Sequence, residues 1–150
     1  MHAYPDTSFL CSIYRIQNSS VIADTWMDRR PGPLPVSWLV LWEFRHSVRF
    51  QAWLFSKDRT RGYHPNESQR MIRSVQEDLT ANIRQLVPID AQDVYLIAER
   101  LSDKYASSHG ARAMDTLHLA TAIHLGAENF LTFDAKQKQI AESEGLIVPV

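Results

Sequence analysis

A chain of 150 residues is expected to form one domain, residues 1–150, that buries roughly 70% of its unfolded surface. With 45% hydrophobic residues, 22% charged residues and a formal net charge of -1, it reads as an ordinary globular protein, and any nucleic-acid contact has to come from a local basic patch. The single cysteine, Cys11, excludes an intrachain disulfide and a cysteine-based zinc site and favours a reducing, cytoplasmic setting.

The N-terminal stretch is broken by Pro5 and Asp6 and does not read as a secretory signal. The longest apolar run, residues 38–42, is far short of the ~20 residues that span a bilayer, so a soluble protein without a membrane partner is expected. His2-Ala3-Tyr4-Pro5-Asp6 reads as a short strand ending in an acid. Pro5 shortens or shifts its pairing, because proline has no amide to give to a ladder. Thr7 or Ser8 is the expected cap of a helix with Phe9, Ile13 and Ile16 at helical spacing. Ser19-Ser20 restarts a second helix, and Arg29-Arg30-Pro31-Gly32-Pro33 ends it.

Leu34-Pro35-Val36 is a second strand, and from Ser37 the pattern turns helical. Leu39, Trp42, His46, Phe50, Trp53 and Leu54 form the expected core stripe, with Glu43 on it. An ionised carboxylate in that position is costly unless it is paired or bound to a cation. Residues 56–65 are a polar loop, and Asn66 is the expected cap of a helix carrying Met71, Val75, Leu79 and Ile83. Gln85-Leu86-Val87-Pro88-Ile89 reads as a third strand, and Asp90 caps a long helix that stops near Gly110.

Residues 114–134 put Asp115 in the first turn of an apolar helix and Asp134 just after a fourth strand. A helix from Ala135 to about Glu144 stops at Gly145, and residues 146–150 form a last strand. The order is therefore β-α-α-β-α-α-β-α-α-β-α-β, with ~5 short strands. It predicts an α/β fold with a short central parallel sheet flanked by helices on both faces. No stretch resembles a phosphate loop or a G-x-G-x-x-G turn, so nothing supports a bound nucleotide cofactor.

Four acids carry the functional signal, and each has an ordinary explanation beside it. Asp6 can be a cap, and Glu43 can be the buried partner of an arginine. Asp115 sits where the helix dipole welcomes an acid. Asp134 and Gln137 have capping-box spacing. Jointly these explanations weaken. If the first and fourth strands are neighbours, three acids meet at the carboxyl end of the sheet, where open α/β folds place their sites, and Glu43 reaches them from the next helix. Carboxylates so crowded raise one another's pKa values unless a cation intervenes, and oxygen-only ligands select Mg²⁺ or Mn²⁺ over zinc. Such sites activate water and neutralise charge on a phosphodiester.

His118, one turn from Asp115, can touch the site, although a histidine so placed is more often a packed structural residue. Its spacing of six from His124 is not the four of a zinc helix. Trp38, Trp42 and Trp53 are expected in the core or on a dimer surface rather than as base-stacking platforms.

Asp6-Thr7-Ser8, Glu43 in a helix after a short strand, M-D-T-L-H-L-A-T-A over residues 114–122 and L-T-F-D over residues 131–134 together resemble the PIN-domain nucleases. The likeness is strongest to the VapC-type toxins of type II toxin–antitoxin pairs. It runs through the whole chain, and its most specific part is Asp115 to Asp134. The resemblance implies a PIN-like sheet flanked by helices, with Asp6, Glu43, Asp115 and Asp134 as a catalytic cluster holding Mg²⁺ or Mn²⁺. It implies Thr7 or Ser8 and Thr132 as helpers, beside the candidate His118.

The implied activity is metal-dependent endoribonuclease cleavage of cellular RNA that arrests translation and growth. The implied partners are RNA, a cognate antitoxin and a second copy of the chain. Arg45, Arg59, Arg61 and Arg112 are candidate RNA contacts, with Arg49, Lys57, Lys136 and Lys138 as further phosphate-steering candidates; only two or three are expected to matter. The 56–65 loop reads as a family insertion or an RNA-contacting flap. The alternatives are a stand-alone PIN nuclease in RNA processing and a non-catalytic module whose acids bind a basic segment. A D-x-D-x-T phosphatase is disfavoured, because Asp6-Thr7-Ser8 lacks the second aspartate.

Overall fold

The computed structural model describes residues 2–150. Its elements are β1 (Ala3–Pro5), α1 (Thr7–Tyr14), α2 (Ser20–Asp28), β2 (Leu34–Val36), α3 (Trp38–Lys57), α4 (Pro65–Thr80), β3 (Arg84–Leu86), α5 (Ala91–His109), α6 (Ala113–His124), β4 (Asn129–Leu131) and α7 (Ala135–Ser143). The α/β order expected from the sequence is present. β1 pairs in parallel with β4, setting Tyr4 opposite Phe130, and β2 pairs in parallel with β3. The first and fourth strands are therefore neighbours.

β1 and β2 lie side by side, yet among the described residues the strands form two ribbons rather than one ladder. Two prolines account for the split. In β1, Asp6 donates its amide to Leu131 and the His2 carbonyl accepts from Asn129, so the even-numbered residues face β4 and Pro5 faces β2. In β2, Leu34 donates to Ile83 and the Val36 carbonyl accepts from Val87, so Pro35 faces β1. Both edges of the seam thus present a proline ring where a ladder needs an amide.

The fifth strand shrinks for the same reason. It is a single bridge from Ile147 to Asn129, and the next residue that would face β4 is Pro149. The third strand begins earlier than expected, at Arg84, and ends before Val87.

Two helix caps differ from the sequence reading. Asp6 caps α1, in place of Thr7 or Ser8, by accepting the Phe9 amide at 3.0 Å. His64 caps α4, in place of Asn66, because Pro65 takes the first helical position and its neighbour turns extended. Asp90 and Asp134 cap α5 and α7 as expected, and Gly110, at φ 64°, ends α5.

The largest difference lies in α3. Its buried residues are Val40, Leu41, Phe44 and Val48, whereas Trp38, Trp42, Phe50 and Trp53 are exposed. The tryptophans are not core. α3 is apolar on two faces, and periodicity alone does not say which face meets the sheet. Ile16, expected on the α1 stripe, lies beyond the end of α1 and is exposed. The core gathers Tyr4, Phe9, Phe44, Leu119, Phe130 and Leu131 beneath the carboxyl end of β1 and β4. α1, α3 and α4 pack together, and α5 packs against α6.

Candidate acidic site

The β1–β4 pairing places Asp6 beside the segment that leaves β4. Asp6 is 1% exposed, and its carboxylate is filled with donors. Oδ1 accepts Ser8 Oγ at 2.6 Å and the Phe9 amide at 3.0 Å; Oδ2 accepts Thr132 Oγ1 at 2.6 Å and Gln137 Nε2 at 3.1 Å. That is a full set for the roughly four acceptor positions of a carboxylate. Burial pushes the Asp6 carboxyl above its ordinary range, and the hydrogen bonds from Ser8, Thr132 and Phe9 offset only part of this.

Glu43 enters from α3. Its Oε2 accepts the Thr7 hydroxyl and lies 2.6 Å from His118 Nε2. His118 Nδ1 is 3.0 Å from the Tyr4 hydroxyl, which is 3.1 Å from Ser37 Oγ. Burial raises the Tyr4 hydroxyl far above its ordinary pKa, so it stays protonated and serves as a donor. With Tyr4 donating to Nδ1, a neutral imidazole carries its proton on Nε2, facing Glu43. Burial alone would raise the Glu43 carboxyl, but the hydrogen bond and charge of His118, the Thr7 hydroxyl and Arg112 together hold it below its ordinary range. Glu43 is therefore ionised at neutral pH.

Asp115 and Asp134 share one guanidinium. Arg112 contacts Asp115 through Nε and through a terminal nitrogen, both at 3.1 Å, and reaches Asp134 Oδ2 at 3.4 Å. The Arg112 amide also donates to Asp115 at 3.0 Å, so Asp115 satisfies a backbone donor at the start of α6 as well. Asp115 is buried, while the Arg112 side chain is largely exposed and can leave. Asp134 caps α7 through the amides of Lys136 and Gln137.

All four acids and the helpers Thr7, Ser8, Thr132 and His118 thus fall in one region. Gln137 joins them without having been expected to. Its spacing from Asp134 reads as a capping box, but its side chain turns away to Asp6, and the Asp134 amide goes to Thr132 Oγ1 at 3.0 Å instead. Gln137 Oε1 is buried without a partner. The available signal was its position in the first turn of a helix that starts beside β1.

Of the candidate RNA contacts, only Arg112 touches the acids. Arg45 donates to Gln76 on α4, and Arg59 and Arg61 lie exposed in the loop between α3 and α4. Among the described residues no three metal-ligating side chains already converge on one point. The donor set nevertheless fits a hard divalent ion, since it consists of carboxylate and hydroxyl oxygens. Two of its acids already hold a positive group that a cation can replace.

The PIN domain family model matches residues 3–143. The chain belongs to the PIN-domain family. PIN domains are a nuclease family that uses divalent metal ions. No curated protein matches the sequence. Among solved structures, a toxin–antitoxin complex from Klebsiella pneumoniae is similar with a TM-score of 0.65 at 16% identity, covering 99% of this chain and 98% of that one. VapC20 of Mycobacterium tuberculosis, described as a sarcin–ricin-loop-cleaving toxin, is similar with a TM-score of 0.64 at 14% identity over 97% and 96% of the two chains. FitAcB from Neisseria gonorrhoeae has a TM-score of 0.63 at 19% identity over 97% and 95%. At such identities the likeness speaks for the PIN fold.

Proposed function

We propose that this PIN domain is a Mg²⁺-dependent endoribonuclease, the toxin of a type II toxin–antitoxin pair acting on cellular RNA in the cytoplasm. The observation that carries this reading is the arrival of Asp6, Asp115 and Asp134 in one hydrogen-bonded group through Thr132 and Arg112, with Glu43 on α3 near enough to feel the Arg112 charge. Asp115 and Asp134, with Glu43 at their edge and Asp6 once one of its four donors turns away, would hold Mg²⁺ or Mn²⁺. The ion, when bound, supplies positive charge at the scissile phosphate.

The chain's own groups do the rest. Glu43, ionised and held by Thr7 and His118, orients the attacking water and takes its proton. His118 donates its Nε2–H to Glu43, and Tyr4 fixes the imidazole tautomer. Ser8, Thr132 and Gln137 hold the buried Asp6 in one orientation. Arg112, once released by Asp115 and Asp134, is placed to meet the phosphate with a two-pronged contact.

The Arg112 bridge also bears on partners. Carboxylates that hold one guanidinium in cis can hold an antitoxin's arginine in trans. A second copy of the chain is supported by large apolar side chains left exposed on α3, Trp38 and Trp42, and on α5, Tyr95 and Leu96. The same bridge favours one rival, a non-catalytic module that binds a basic segment. Induced expression with sequencing of RNA 5′ ends separates the readings. Growth arrest with new, discrete RNA ends, relieved by a neighbouring antitoxin, is expected of the toxin. Unchanged growth with trimming of one precursor would point to a processing nuclease, and unchanged RNA to the binding module.

A further inference from the structure

α1 and α3 run away from the acids side by side. Thr7 on α1 donates to Glu43 on α3. One turn on, Cys11 and Ser47 line a cavity of about 300 Å³, and a turn beyond them Arg15 and Gln51 line the same cavity. Eight residues of helix advance about 12 Å, so Arg15 stands within reach of the nucleotides next to the cleaved linkage on an extended strand.

Three features of Arg15 need a ligand to complete them. Its guanidinium lies over the Tyr63 ring, 4.6 Å from the centroid, which fixes its plane and leaves the terminal N–H donors free. Its Nε is buried without a hydrogen-bond partner, which costs free energy unless the side chain shifts to meet an acceptor. The acid whose charge reaches it, Glu67, is committed to Arg70 by contacts of 2.6 and 3.1 Å.

The walls are set in advance. At Gly62, φ +61°, an added Cβ would lie 2.0 Å from the Gln51 carbonyl, so the loop that carries Tyr63 abuts α3 directly. Cys11 is an inert wall, because burial pushes its thiol up to about 12. Ser47 and Gln51 add neutral hydrogen-bonding groups opposite the arginine.

We infer that the cavity between α1 and α3 is a phosphate subsite, in which Arg15 binds the non-bridging oxygens of a phosphate flanking the scissile one in the RNA strand. The inference rests on the ribonuclease reading. The planar guanidinium matches two phosphate oxygens at once, which an ammonium does not. The subsite therefore sets how the strand lies across Glu43 and favours substrates that extend past the cleaved linkage.

The test uses the full chain in two measurements. In the first, the side-chain Nε–H resonance of Arg15, identified by its loss in Arg15→Lys, is followed by NMR. One titration uses a cleavage-resistant 2′-deoxy oligonucleotide and the other inorganic phosphate. A shift with the oligonucleotide at concentrations where phosphate has no effect is expected. No shift, or a shift with phosphate at equal or lower concentration, overturns the inference.

The second measurement is RNA cleavage by Arg15→Gln, expected to raise KM about tenfold with kcat nearly kept, and to be partly recovered in Arg15→Lys. Ser47→Glu, which puts a charge on the opposite wall, should raise KM likewise and guards against misfolding of the first variant. If the wild type cleaves RNA and these variants match its KM, the subsite falls and the nuclease reading stands. If the wild type cleaves nothing, the nuclease reading falls and the titration alone decides the subsite.

Discussion

His118 Nε2 lies 2.6 Å from Glu43 Oε2, and this contact ties the buried Tyr4–Ser37 pair to the half-buried acid of α3. It holds the Glu43 carboxyl down against the upward push of its own burial. Replacing His118 by Asn removes that hold, and the Glu43 pKa rises. We expect kcat to fall by about 10²-fold and the acid limb of the pH–rate profile to move to higher pH. An unmoved acid limb would show that the ring does not act through Glu43.

Arg112 neutralises Asp115 and Asp134 until a divalent ion replaces it. In Arg112→Gln the two carboxylates face each other without a counter-charge. Without metal, the thermal midpoint should fall by a few degrees, corresponding to about 1 kcal/mol. The rise on adding Mg²⁺ should be larger than in the wild type. A thermal melt with and without Mg²⁺ measures both, and an equal Mg²⁺ response would mean that Arg112 and the ion do not compete.

Away from the site, Glu144 locks the end of α7 to α5. Burial would raise its carboxyl, but hydrogen bonds from Lys104, Tyr105 and Arg100 outweigh it and lower the pKa to about 2. A depressed folded-state pKa gives stability that is complete above the ordinary value of 4.5 and is lost as pH falls toward about 2. The difference in melting temperature between the wild type and Glu144→Gln should be clear at pH 6, shrink below about pH 4.5 and be nearly gone only at about pH 2. A difference that is constant over this range would contradict the ion-pair account.

Gly62 and Gly32 separate contact from conformation. Both have positive φ, but only at Gly62 would a Cβ collide with backbone, the Gln51 carbonyl. Alanine at Gly32 should cost about 1 kcal/mol through φ alone, and alanine at Gly62 at least twice that. Equal losses in chemical denaturation would show that the loop does not press on α3.

Much of the fold was legible because helix punctuation is local. Asp90, Gly110, Asp134 and Gly145 mark helix ends through groups within a few residues, and the structure keeps them. The sheet was less legible, because Pro5 and Pro35 matter only once strand register turns both toward the same seam. The buried face of α3 was misread because its outward face carries tryptophans, and sequence spacing does not say which face meets β1 and β2. At the candidate site, Asp6, Asp115 and Asp134 stood out as carboxylates at element ends, and Glu43 as a carboxylate on an otherwise apolar helical stripe. The role of Gln137 did not, because its contact with Asp6 spans 131 residues of sequence and exists only through the β1–β4 pairing.

Asp6→Asn with Mg²⁺ tests the central claim most directly. The asparagine amide would face the Thr132 and Gln137 donors, but Gln137 has an unpartnered Oε1 that a turned amide can offer it. Burial raises the Asp6 pKa, so the ionised form costs stability once pH exceeds that value, and an uncharged residue avoids the cost. Purified wild type should cleave RNA with Mg²⁺ and stop with EDTA. Asp6→Asn should lose at least about 10²-fold in rate while melting at the same temperature or higher. Wild-type cleavage that survives EDTA, or an Asp6→Asn protein as active as the wild type, would contradict the account.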